Sequence, residues 1–114
     1  MSDQTQRRAR TVRISRKKVT PHTWARDKRA SIQVIGGTPA DLGMHEPLDT
    51  PLVVGRGEEA NFRVHDDSAS RTHVWVGWDA AANEYQVRDL QSTNGTLVNG
   101  ALIAKPMSLS HGDR

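Results

Sequence analysis

The residues able to do chemistry fall in three short blocks. They are Gly55-Arg56, Ser70-Arg71-Thr72-His73, and the run Asp89-Leu90-Gln91-Ser92-Thr93-Asn94-Gly95-Thr96-Leu97-Val98-Asn99-Gly100. Ser70, His73 and Asp89 supply the residue types of a nucleophile, a base and an orienting carboxylate. Context speaks against a hydrolase: there is no Gly-x-Ser-x-Gly elbow, and the serine and histidine sit three apart where a loop meets a strand. The five histidines show no metal-ligand spacing. Gly55-Arg56-Gly57 lacks the lysine and following helix of a nucleotide-binding loop. What the blocks do offer is donors: guanidinium groups at Arg56 and Arg71, and hydroxyls at Ser70 and Thr93. No enzymatic activity, cofactor or metal is expected.

The elements that must position these blocks are strands. Ile32, Val34 and Ile35 lead into Gly36-Gly37 as a strand and a turn. Leu52-Val53-Val54 is a buried run closed by Gly55, and Phe62 and Val64 alternate with Arg63. Val74, Val76 and Trp78 fall on one face of a strand and Trp75 on the other, while Tyr85 and Val87 begin the next. Leu97-Val98 and Leu102-Ile103 are expected to be the last two strands. Asp66-Asp67, Asn94-Gly95 and Asn99-Gly100 punctuate them with turn chemistry. No stretch holds a 3.6-residue period with caps, so helix is minor. Short strands with regular turns predict a β-sandwich or barrel.

Length and charge set the limits. The 114 residues make one domain with an arm, and 35% hydrophobic content implies a small core. The absence of cysteine excludes disulfides and thiolate metal sites and fits a reducing cytoplasm. No apolar run approaches the roughly 20 residues of a membrane helix. The net charge of +3 hides a division. Residues 1–30 carry ten Lys/Arg against Asp3 and Asp27, whereas residues 31–114 carry six against eleven Asp/Glu. A segment so basic and so poor in large apolar side chains, Trp24 excepted, cannot offset its ordering entropy, so residues 1–29 are expected to be a disordered basic arm. Only that arm suits a nucleic-acid backbone, and a solvated tail is the simpler reading of it.

The three blocks, in their order and spacing, resemble the forkhead-associated (FHA) domain, whose pattern is Gly-Arg, then Ser-x-x-His, then Ser-x-Asn-Gly-Thr-x-Val-Asn-Gly. The resemblance covers roughly residues 31–114, with Ser70 fourteen positions after Arg56. It implies an all-β fold, an antiparallel β-sandwich of the FHA/SMAD-like kind, with a phosphate pocket built from the loops at one end. It implies a phosphothreonine-peptide-binding module that recruits partners phosphorylated by a Ser/Thr kinase. Ser70 and Thr93 would donate hydroxyls to the phosphate and Arg71 would add charge. Arg56 would brace the pocket and Asn94 would clamp the peptide main chain. Gly55, His73, Gly95 and Asn99 would support the loops, and a small recess would favour threonine over serine.

Two departures from the pattern carry expectations. Ala69 stands where the family often has a larger aliphatic residue, which predicts a less firmly packed loop. Ser110-His111-Gly112-Asp113-Arg114 resembles the opening of the family's closing strands. The domain at 30–114 is therefore expected to be C-terminally incomplete, with strand 31–36 left without a partner and its edge exposed. The order of arm and domain resembles bacterial regulators in which an FHA domain precedes an output domain such as a diguanylate cyclase. Thr11, after Arg7-Arg8-Ala9-Arg10 and with Ile14 at +3, is a candidate ligand for its own domain. About 20 residues, some 25 Å as a coil, separate it from the first strand. A basic-arm anion binder on a phospho-independent scaffold is the alternative.

Overall fold

The computed structural model describes residues 30–114 and, as backbone, residues 11–16. Its strands are β1 (Thr11–Arg16), β2 (Ala30–Gly36), β3 (His45–Pro47), β4 (Leu52–Gly55), β5 (Phe62–Arg63), β6 (Val74–Asp79), β7 (Glu84–Asp89), β8 (Leu97–Val98), β9 (Ala101–Leu102) and β10 (Met107–Ser108). Among the described residues, helix is limited to one 3-10 turn, Pro39–Asp41. The described strands form three sheets: β1-β2-β3, β10-β7-β6-β4-β5, and the hairpin β8-β9.

Alternation decides which side chains face inward. In β2, Ala30, Ile32 and Val34 are buried while Ser31 and Gln33 are half-exposed. In β7, Tyr85 and Val87 are buried between Glu84, Gln86 and Arg88. These residues meet Leu52, Val54, Phe62, Val64 and Val76 in one apolar cluster, so β2 of one sheet and the strands of the other share a core, as a sandwich requires. Trp78 closes one end against Tyr85, edge to face at 4.9 Å. Trp75 lies on the outer face under the Arg88 guanidinium, 4.4 Å from its ring centroid. A cavity of about 720 Å³ between the sheets is lined in part by Val34, Val54, Val76, Val87, Val98 and Leu109.

Four sequence expectations are corrected. Within the segment expected to be a disordered arm, Thr11–Arg16 is a strand, antiparallel to β2 from Thr11↔Gly36 to Arg16↔Ala30. Its alternation of Val12 and Ile14 with Arg13 and Ser15 is a strand pattern that the surrounding charge masked. Residues 1–10 and 17–29, with the rest of that expectation, lie outside the described residues. Second, β2 does not show the expected open edge, because β1 pairs on one side of it and β3 on the other. Third, the sandwich is not wholly antiparallel: β4 and β5 run parallel, with Val54 opposite Phe62. Fourth, the last strand is β10, where Met107 pairs with Val87, and Leu102 belongs to β9 with Ala101.

Phe62 is the largest of the fully buried side chains among the described residues. Phe62→Ala should lower unfolding stability by about 3–5 kcal/mol, read from the midpoint of urea denaturation.

Candidate functional site

The loops after β4, before β6 and between β7 and β8 converge because the sheet brings their strands side by side. Val54 pairs with Val74 and Val74 with Asp89, so the chain ends beyond these residues emerge together. Close backbone approach then locks the first two loops. The Arg56 N–H donates to the Ser70 carbonyl at 2.9 Å, and the Gly57 N–H to the Arg71 carbonyl at 3.0 Å. Gly55 is buried, and a Cβ there would collide with the Arg71 carbonyl, so glycine is required by space.

His73 ties the remaining loop to these two. It is 7% exposed, and its backbone is held by its N–H to the Val54 carbonyl and by its carbonyl from the Leu90 N–H. The Ser70 N–H donates to His73 Nδ1 at 3.0 Å. An Nδ1 that accepts an amide proton carries none, so the ring proton sits on Nε2, which donates to the Gly95 carbonyl at 2.8 Å. Both ring nitrogens are therefore engaged by backbone, and neither can act as a base toward the Ser70 hydroxyl.

Ser70 Oγ accepts the Thr93 N–H at 2.9 Å. A hydroxyl that accepts still has its own proton to give. Asn94 donates its side-chain amide to the Ser68 carbonyl at 2.7 Å, across the same junction. Arg56 Nε donates to the Ala69 carbonyl at 3.0 Å, which fixes the guanidinium stem while the side chain remains exposed. Arg71, equally exposed, forms an ion pair with Glu59 at 3.0 Å. Thr93 is exposed, with no side-chain hydrogen bond among the described residues. Arg56, Ser70, Arg71, Thr93 and Asn94 thus sit on adjoining loops, joined through one hydrogen-bonded junction.

The supporting residues serve geometry. Gly95 has φ 85°, and a Cβ there would lie 2.6 Å from a Leu102 methyl. Asn99 and Gly100, at φ 51° and 85°, make the tight turn between β8 and β9. Asn99 also donates its amide to Asp113 at 3.0 Å and accepts the Arg114 N–H at 3.1 Å. Asn99 thereby ties the β8–β9 turn to Asp113 and Arg114. Ala69 does not loosen its loop: it is 2% exposed and packed in the core.

Sequence reasoning missed the residues that shape the third loop. Asp89 Oδ1 accepts short hydrogen bonds from the hydroxyls of Ser92 and Thr96, and Oδ2 accepts the Ser92 N–H at 3.1 Å. Ser92 Oγ in turn accepts the Gly95 N–H at 3.0 Å. The spacing Asp89-x-x-Ser92 was the available signal, obscured because Asp89 reads equally well as a strand residue. Partial burial opposes ionisation of Asp89, but the hydrogen bonds from the Ser92 and Thr96 hydroxyls and from the Ser92 N–H hold its carboxyl below the usual value. Also missed were Ser68, which offers the acceptor for Asn94, and Glu59. Among the described residues no cluster of three His, Cys, Asp or Glu side chains could hold a metal, and no helix is long and apolar enough to cross a membrane.

Comparison with known proteins gives a consistent result. The family model of the FHA domain matches residues 52–114. The FHA domain-containing protein FhaA of Mycobacterium tuberculosis is 41% identical over 61 residues, which are 54% of this chain and 11% of that protein. The proliferation marker protein Ki-67 of Homo sapiens is 35% identical over 72 residues, 62% of this chain and 2% of that protein. The chain thus spans a small part of the length of these relatives. A structure from an analysis of phosphothreonine-dependent FHA domain interactions superposes with a TM-score of 0.60 at 34% identity, covering 73% of this chain and 80% of that chain. The FhaA FHA domain, crystallised in complex with the intracellular domain of Rv3910, superposes with a TM-score of 0.55 at 38% identity, covering 62% of this chain and 76% of that chain.

The depressed Asp89 carboxyl has a stability consequence. Its folded-state value lies below the ordinary 3.8, so its contribution is fully present above that pH and is lost as pH falls through the folded value. Urea midpoints measured from pH 6 down to pH 3 should therefore fall, and Asp89→Asn should flatten the part of that fall below about pH 4.

Proposed function

The chain belongs to the FHA-domain family, and on that premise we propose that it binds proteins carrying a phosphorylated threonine and so recruits them downstream of a Ser/Thr kinase. It acts as a binding module in the cytoplasm, without a cofactor.

One observation carries this reading: Ser70 Oγ accepts the Thr93 N–H and so keeps its proton for a ligand, beside two loop arginines. A phosphothreonine brings nearly two negative charges and three acceptor oxygens. Ser70 and Thr93 give hydroxyl protons to those oxygens, and Arg71 adds charge. Arg56, its stem fixed on Ala69, holds positive charge beside them. Asn94 fits a peptide backbone by exchanging its bond to Ser68 or by offering its amide oxygen. The donors are pre-positioned by backbone contacts, so little ordering is required on binding.

A neighbouring copy or another protein supplies the phosphothreonine. The chain's own Thr11 is a further candidate, but in β1 it is paired with Gly36. Its use as a ligand therefore requires β1 to leave β2, and loss of amide protection in β1 on Thr11 phosphorylation checks this.

Calorimetry with matched phosphothreonine, phosphoserine and unphosphorylated peptides tests the reading. Binding should require the phosphate, favour phosphothreonine, and weaken as pH falls below about 6, where the phosphate loses its second charge. Arg56→Ala and Ser70→Ala should each cost about 1.5–3 kcal/mol of binding while the protein stays folded. Phosphate-independent binding by the folded protein would contradict the proposal.

A further inference from the structure

Glu59 occupies a position that the phosphate-binding reading does not use. Its carboxylate receives Arg71 side-on, from NH2 at 3.0 Å and from Nε at 3.4 Å. A Cβ at Gly57 would strike this carboxylate and would lie 2.8 Å from the Arg71 Cβ, so the pair fills the hollow left by a glycine in a locked loop. Arg63 adds positive charge nearby, with its Nε donating to the Arg56 carbonyl at 3.0 Å. The carboxylate is held below its usual range first by its own backbone N–H and then by the Arg71 hydrogen bond, with smaller attraction from Arg71 and Arg63. It is therefore an anion at every pH at which the phosphate carries its second charge, above about 6. Both partners are exposed, 59% for Arg71 and 56% for Glu59, and a pair this open exchanges readily.

From this arrangement we infer that Glu59 is a specificity residue: it selects ligands that carry an arginine or lysine beside the phosphothreonine. The inference rests on the proposed phosphate site. A phosphate that takes Arg71 releases Glu59, because a group with nearly two charges outcompetes one carboxylate for the same guanidinium edge. The released carboxylate then lies within the binding face without its Arg71 hydrogen bonds, attracted only by the charge of Arg63. A ligand with a basic side chain restores the lost ion pair, and a neutral or acidic ligand does not. The exchange conserves charge pairing: Arg71 moves from Glu59 to the phosphate, and Glu59 moves from Arg71 to the ligand's cation. The chain's own Thr11, preceded by Arg10, has this composition.

Fluorescence polarisation at low salt tests it with one phosphothreonine peptide in three forms, bearing arginine, alanine or glutamate beside the phosphothreonine. The wild-type protein should bind the arginine form about two- to fivefold more tightly than the alanine form, the range of a single exposed ion pair. Glu59→Gln should erase that preference and bind the alanine form at least as tightly as wild type does. Glu59→Lys should reverse it in favour of the glutamate form. Glu46→Gln removes the same charge from β3, in the other sheet, and should leave the preference intact. An arginine preference that persists in Glu59→Gln, or that falls equally in Glu46→Gln, overturns the role of Glu59. If no form binds in a phosphate-dependent way, the binding function itself fails, and this role with it.

Discussion

The imidazole of His73 is the contact on which the binding end depends. Its backbone is fixed between Val54 and Leu90, inside the β4-β6-β7 sheet, so the ring leaves the scaffold at a determined place. From there it accepts from Ser70 and donates to Gly95, two residues 25 positions apart in the chain. A lysine or arginine there has donors only, and a carboxylate accepts only. A neutral imidazole can do both with one planar group. The loops are therefore set by a neutral, nearly buried side chain, which leaves the charged groups free to face solvent.

Each further donor is placed by the one before it. His73 fixes the Ser70 amide, Ser70 Oγ accepts from Thr93, and Asn94 crosses back to Ser68. Asp89 gathers Ser92 and Thr96 beneath this loop, and Ser92 holds the Gly95 amide. Loops of this kind would ordinarily lose much conformational entropy on meeting a ligand. Here backbone and hydroxyl contacts have already restricted them, and only the exposed arginines need to rearrange. Arg56 rearranges least, since its Nε is already bonded to Ala69. Arg71 must give up Glu59, which makes that ion pair the adjustable part of an otherwise fixed site.

Much of this was legible in the sequence because the relevant signals are local. Two-residue alternation marked the inward faces of β2 and β7, and Asn99-Gly100 marked a turn that the positive φ angles bear out. The Gly-Arg, Ser-x-x-His and Asn-Gly blocks marked three loops that the structure joins by hydrogen bonds. What stayed hidden depends on distant partners. β10 is two residues with no alternation of their own, and it exists because Val87 and Gln86 offer an edge. The parallel β4–β5 pair is likewise set by register rather than by composition. β1 was masked by its neighbours' charge, since Val12 and Ile14 alternate within a segment whose average reads as disordered. Ala69 was misjudged for a related reason: side-chain size suggested loose packing, while burial follows from where the chain runs.

The central claim is that three loops, tied through His73, form a single site for a phosphorylated threonine. Backbone amide shifts of the labelled protein, recorded as a phosphothreonine peptide and its unphosphorylated twin are added in turn, test it most directly. The claim predicts phosphate-dependent shifts concentrated at Arg56, Ser70, Arg71, Thr93 and Asn94, with the outer face around Trp75 and Arg88 unmoved. Shifts centred on Trp75 and Arg88, or shifts that the unphosphorylated peptide reproduces, would contradict it.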